Sequence, residues 1–185
     1  MGLSAIKPTR RFTYADYVEL PEGAPYQLIE GDLVMTPSPS PYHQRISKRI
    51  ELALCAFAEE DHALGEVLDA PIDICLGETE VYQPDIIFIS NERRSIIGEK
   101  NVEGPPDLVI EILSPSTAYY DLKQKKTVYA RSGVKEYWIV DPMEKSIEVF
   151  ENTGTEFSLN NRAVAGETVR SKLLEGFTVA LEKIF

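Results

Sequence analysis

The chain has 185 residues, 43% of them apolar and 26% charged, which fits one soluble globular domain with a sizeable core, spanning residues 1–185. No run approaches the roughly 20 apolar residues of a membrane span, so no membrane partner is expected. The net charge of −11 argues against a protein that coats nucleic acid non-specifically.

The opening residues Met1 to Ile6 hold no apolar signal core and no Ser or Thr at position 6, so the expected location is cytoplasmic. Thr13 to Leu20 reads as a short helix with Thr13 as its N-cap. Tyr26 to Glu30 and Asp32 to Thr36 read as a hairpin turning at Gly31. The run Thr36 to Pro41 alternates proline with Thr or Ser and must be an extended loop. From Tyr42 to Glu60, Ile46, Ile50, Ala53, Leu54 and Phe57 recur at helical spacing. Strands follow at Glu66 to Asp69, Ile72 to Leu76, Asp85 to Ile89 and Leu108 to Leu113. The stretch Asn91 to Pro106 is long for a connection and is expected to be a mobile flap. A helix from Thr117 to Ser132 should end at Gly133, ahead of a strand over Glu136 to Asp141. Strand, helix, strand in this order predicts a parallel crossover. Residues 146–185 read as a β-rich extension of short strands and turns. The fold class is α/β: one mixed sheet with helices on both faces.

Charge is uneven. Residues 51–69 hold six acids and no Lys or Arg, whereas 121–135 hold five bases against Asp121. Arg45, Lys48 and Arg49 form a second basic cluster. Either basic cluster could touch phosphate, or be a solvated helix face. Cys55 and Cys75 lie in apolar-rich segments and read as reduced core thiols.

The most informative residue is Glu111, alone in the apolar strand Leu108-Val109-Ile110-Glu111-Ile112-Leu113. A carboxylate there is costly unless a cation or hydrogen bonds satisfy it. It is either paired to a basic side chain or bound to metal. Asp85 opens the preceding apolar strand. If the two strands are neighbours, Asp85 and Glu111 converge, and a hard cation such as Mg²⁺ or Mn²⁺ would relieve their repulsion. Asp107 is a poorer partner, because four residues of strand separate it from Glu111 by roughly 13 Å. On the following helix, Ala118, Leu122, Lys125, Val128 and Tyr129 share one arc, so Lys125 is the lysine placed inward. It either snorkels to the surface or faces Glu111. Glu30 is a third carboxylate or a turn residue. His43 is a core, capping or functional histidine, and His62 reads as loop. No phosphate-binding glycine loop, nucleophile elbow or Cys/His metal motif is present.

Tyr26 to Leu33, His43-Gln44-Arg45-Ile46, Gln83-Pro84-Asp85, Pro106 to Thr117, Asp121 through Lys125 to Tyr129, and Gly133 to Pro142 carry a resemblance. Over about residues 10 to 150 the chain resembles the large family of putative restriction endonucleases abundant in cyanobacteria, within the PD-(D/E)xK nuclease superfamily. The resemblance implies a restriction-endonuclease-like fold, a mixed β-sheet flanked by helices. It implies Asp85, Glu111 and the backbone carbonyl of Ile112 as metal ligands, Mg²⁺ or Mn²⁺ as cofactor, and DNA as the nucleic-acid partner. Leu113 stands where the superfamily pattern has lysine, and the resemblance implies that Lys125 takes over that role. Glu30 and His43 match family positions and are expected to line the same pocket. A homodimer is implied too, since two-fold symmetry suits the cutting of two strands. The expectation is a metal-dependent endodeoxyribonuclease. A nuclease-fold interaction module without activity, or a metal hydrolase of smaller phosphoesters, are the alternatives.

Overall fold

The computed structural model describes residues 10–21, 23–36, 38–114 and 120–185, without the side chains of residues 120–123. Helix α1 (Tyr14–Tyr17) is a single turn closed by a capping box: Asp16 N–H donates to Thr13 Oγ1, and Thr13 N–H donates to the Asp16 carboxylate. Strands β1 (Tyr26–Ile29) and β2 (Asp32–Met35) pair antiparallel about Glu30 and Gly31, both at positive φ (49° and 81°). A two-residue hairpin loop with both φ values positive matches the right-handed twist of its strands. Helix α2 (Pro41–Cys55) begins with proline in its first turn, and its N-cap Ser40 accepts from His43 N–H at 3.2 Å. The helical run continues as expected, but its end, Ala56–Asp61, widens into a π-helical turn.

Next come β3 (Gly65–Asp69), β4 (Ile74–Gly77), β5 (Glu80–Tyr82), β6 (Ile86–Ser90), β7 (Val102–Glu103) and β8 (Leu108–Ile112). Helix α3 (Tyr120–Ser132) leads through Gly133, at φ 98°, into β9 (Glu136–Asp141). The expected helix start, Thr117, and the inward Ala118 lie outside the described residues. Strands β10 (Ser146–Asn152), β11 (Phe157–Val164), β12 (Thr168–Arg170) and β13 (Thr178–Ala180) complete the chain.

The order β11-β10-β9-β8-β6-β3 forms a six-stranded sheet in which β8 and β9 run parallel, the predicted crossover around α3. Three differences from the sequence expectation stand out. The single sheet is in fact joined by a five-stranded sheet, β2-β1-β5-β4-β7, and the pair β12-β13. Strand β5 was not foreseen, since three residues are too short for a periodic signal. The expected flap is pinned: a 3₁₀ turn over Asn91–Ile96 leads to β7, which pairs parallel with β4 and buries Val102 completely.

Alternation along β8 assigns its side chains to two cores. Leu108, Ile110 and Ile112 pack with Ile46, Ile50 and Leu54 of α2, with Trp138, and with Phe177 and Val179 near the chain's end. Val109 packs with Tyr129, Tyr137, Tyr82, Ile74 and Val102 on the α3 side, beneath the five-stranded sheet. Glu111 has the parity of Val109, and so points under α3. Cys55 and Cys75 are free thiols, and burial pushes both up to about 11.

Candidate active site

Strands β6 and β8 are antiparallel neighbours with Ile86 opposite Ile110, a register that brings Asp85 to Glu111 at one end of the sheet. Asp85 Oδ2 accepts from Ile112 N–H at 2.7 Å, which fixes its carboxylate against the end of β8. Residues Lys125 and Tyr129, one turn apart on α3, descend onto Glu111. Lys125 Nζ donates to Glu111 Oε1 at 3.0 Å and Oε2 at 3.1 Å, and Tyr129 Oη donates to Oε1 at 2.7 Å. Glu111 is 8% exposed and Lys125 7%, so this ion pair is buried. Burial pushes the Glu111 carboxyl up, the Lys125 ammonium pulls it down, and the Asp85 charge pushes it up again; the balance lies above the usual value. Burial, together with the Glu111 charge, raises Tyr129 well above an ordinary phenol, so it stays a donor.

His43, in the first turn of α2, reaches the same place from the opposite side of the sheet. Its Nε2 lies 3.1 Å from Ile112 O and 3.4 Å from Asp85 Oδ1. Burial lowers its basicity, but the hydrogen bond and charge of Asp85 and the Ile112 carbonyl outweigh that and leave it raised.

Glu30 is exposed on its hairpin turn, outside this group. Its N–H donates to Glu80 Oε2 at 3.2 Å, and that oxygen also accepts from Tyr82 Oη at 2.6 Å. The Tyr82 ring meets Tyr129 edge-on at 5.4 Å, so the Glu30 turn joins the site through two aromatic rings. Asp107 sits at the other end of β8, as expected. Its carboxylate takes Ser90 N–H at 2.8 Å, Lys135 Nζ at 2.7 Å and Arg93 at 3.6 Å.

Among the described residues, no three His, Cys, Asp or Glu side chains are already gathered around one point. The donors that suit a hard divalent cation are therefore mixed: two carboxylates and the Ile112 carbonyl, whose oxygen faces His43 Nε2. Hard oxygens from Asp85, Glu111 and Ile112 fit Mg²⁺ or Mn²⁺.

The sequence matches the family described as "Uma2: Putative restriction endonuclease" over residues 14–182. The chain belongs to this family. It is 24% identical over 156 residues to the uncharacterized protein sll1609 of Synechocystis sp., covering 82% of this chain and 87% of that protein. The crystal structure of a putative nuclease belonging to DUF820 from Anabaena variabilis superposes with a TM-score of 0.78 at 19% identity. That match covers 94% of this chain and 97% of the other. The fold is thus restriction-endonuclease-like, as the resemblance implied, and the Uma2 membership supports a nuclease.

For a Uma2 protein, two groups went unforeseen, one beside Glu111 and one under the Glu30 turn. Tyr129 was placed on the inward arc with Lys125 but given no role; the signal was its one-turn spacing from an inward lysine. Glu80 gave no signal, because β5 itself was missed. The basic clusters are partly consumed by the fold. Lys125 pairs with Glu111, Lys126 lies 3.3 Å from the Phe150 ring centroid, and Lys135 pairs with Asp107. Arg49 donates to Ile184 O at 2.8 Å.

Proposed function

We propose that this Uma2 protein is a divalent-metal-dependent endonuclease that hydrolyses phosphodiester bonds of DNA. The observation that carries the reading is the Lys125–Glu111 contact: with Leu113 in the usual lysine place, the ammonium still arrives, from α3. Asp85, Glu111 and Ile112 O would hold Mg²⁺ or Mn²⁺, which supplies a Lewis acid that activates water and offsets charge on the phosphate. Lys125 orients the attacking water and stabilises the charge that develops on the phosphate oxygens. Tyr129 holds Glu111 Oε1 in place, and Lys125 bridges Oε1 and Oε2. His43 steadies Asp85 and the Ile112 carbonyl, and Glu30 stands at the rim, where a substrate strand would approach. A homodimer would pair two such sites for two strands. The free Cys55 and Cys75 suit a reducing cytoplasm.

The test is cleavage of supercoiled plasmid, single-stranded DNA and RNA with Mg²⁺ or Mn²⁺. Wild type should nick plasmid, and Asp85→Ala, Glu111→Gln and Lys125→Met should each lose activity while folded. Full cleavage by folded Asp85→Ala would refute the reading. A wild type that binds no divalent cation and cuts no nucleic acid would point instead to an interaction module.

A further inference from the structure

We propose that the DNA backbone crosses the end of β8 between two banks of cations, Arg45 and Lys48 on the outer face of α2 and Arg11 on the Glu30–Gly31 turn, which bind the phosphates on either side of the one that is cut. This rests on the endonuclease reading above and adds to it the surface that grips the substrate.

The first bank follows from the helix. At about 100° per residue, Arg45, Lys48, Arg49 and Leu52 fall within one exposed arc of α2, away from the buried Ile46, Ile50 and Leu54. Arg49 is taken up by Ile184 O, but Arg45 and Lys48 make no salt bridge among the described residues. The Arg45 guanidinium instead rests over the Tyr42 ring, 5.9 Å from its centroid, which orients it without using its N–H donors. Fold stability gives no reason for this row. Cations three and four residues apart on a helix repel, and a chain with 30 acidic and 19 basic residues has acids to spare as partners. The row begins at the site: His43 Nε2 lies 3.4 Å from Asp85 Oδ1. Arg45 and Lys48 follow about 3 and 7.5 Å further along the helix axis. The row also stops. Glu59, Glu60 and Asp61, all exposed, close the same helical run and repel phosphate, so DNA is confined to the His43 end.

The second bank stands on the other sheet. Phe12 N–H donates to Gly31 O at 2.8 Å, so the chain ahead of α1 runs along the hairpin turn. A Cβ on Gly31 would stand 3.0 Å from Arg11 Cβ and 3.3 Å from its Cγ, so the Arg11 stem is seated directly on the turn, in space that glycine leaves open. Arg10 is spent on Asp16, whereas Arg11 is exposed and makes no salt bridge among the described residues. The turn borders the site. Burial raises the Tyr82 hydroxyl, and its hydrogen bond to Glu80 and the charges of Glu30 and Glu111 raise it further, which brings Glu30 and Glu111 within range of one hydroxyl. Helix α2 covers one face of β8 and the five-stranded sheet lies over the other, so a strand laid across the end of β8 passes both banks.

The experiment is fluorescence anisotropy of a labelled duplex of about 30 base pairs between about 50 and 200 mM salt, with Ca²⁺ in place of Mg²⁺ to offset the carboxylates of the site. The full chain is compared as wild type, Arg11→Gln, the double variant Arg45→Gln with Lys48→Gln, and the triple variant. Glutamine keeps an aliphatic stem, so packing on Gly31 and Tyr42 survives. Each lost phosphate contact should reduce the slope of log K against log salt by about 0.9 and weaken binding about tenfold at about 0.1 M salt. Arg131→Gln with Lys172→Gln removes the same charge at the opposite end of the sheet and should shift neither quantity. A control that weakens binding as far as the α2 pair would overturn the inference, since net charge alone would then be at work. Loss confined to one bank would overturn the two-sided path. Slopes unchanged in the triple variant, with wild type still binding and nicking DNA, would overturn this inference and leave the nuclease reading standing. A wild type that neither binds nor cuts DNA would overturn both.

Discussion

Replacing Lys125 by methionine removes the ammonium that donates to both oxygens of Glu111 at 3.0 and 3.1 Å. The Glu111 carboxylate is then left buried with Asp85 nearby and Tyr129 Oη as its remaining donor among the described residues. Removing one member of a buried pair costs about 3–5 kcal/mol, because the other charge loses its compensation. Replacing the whole group by apolar residues of similar volume is neutral or stabilising by about 1–4 kcal/mol. The triple variant Glu111→Leu, Lys125→Met, Tyr129→Phe is the right comparison, since Tyr129 Oη would otherwise be orphaned at about 1–3 kcal/mol. Urea unfolding at pH 7, monitored through buried Trp138, should show Lys125→Met far below wild type and the triple variant level with or above it, while cleavage is lost in both. A triple variant as unstable as the sum of its single changes would refute the argument. The ion pair would then serve the fold, and Glu111 would not be a residue kept for chemistry.

Tyr129→Phe should leave the fold intact but loosen Glu111, lowering cation affinity by about tenfold in calorimetry. Asp107 is held below the usual carboxylate range: burial pushes it up, but Lys135 and Ser90 pull it down further. Its folded pKa lies below its unfolded one, so its stabilisation is present above about pH 4 and lost as pH falls through the folded value. Asp107→Asn should therefore flatten the acid limb of a stability-against-pH curve. Buried Glu136 accepts from Trp138 Nε1–H (2.7 Å), Ser171 Oγ–H (2.7 Å), Lys172 N–H (2.6 Å) and Leu173 N–H (2.8 Å). Glu136→Ala should cost about 3 kcal/mol or more and speed hydrogen exchange at residues 171–174 first.

Periodicity along the chain was enough to mark Glu111 as an anomaly, to turn Lys125 inward, and to order a strand, a helix and a parallel strand around them. These are local facts: a strand repeats every two residues and a helix every 3.6, so a misplaced charge shows in the string. The hairpin at Gly31, the Thr13 cap and the Gly133 stop were legible for the same reason. Asp85 and His43 were candidates from their positions, and family resemblance then added the carbonyl of Ile112.

Contacts between distant segments were not legible. That Asp85 faces Glu111 depends on the register of β6 against β8, which loops and cores set jointly. That His43 meets Ile112 O needs α2 laid across one face of the sheet, 69 residues away in sequence. The second sheet and the pinning of residues 91–106 rest on short strands, which gain stability only from their neighbours. Pattern along the chain revealed which residues are chemically out of place. Packing across the sheet decided which of them meet, because hydrogen-bond register and two-sided burial are properties of the assembled layers.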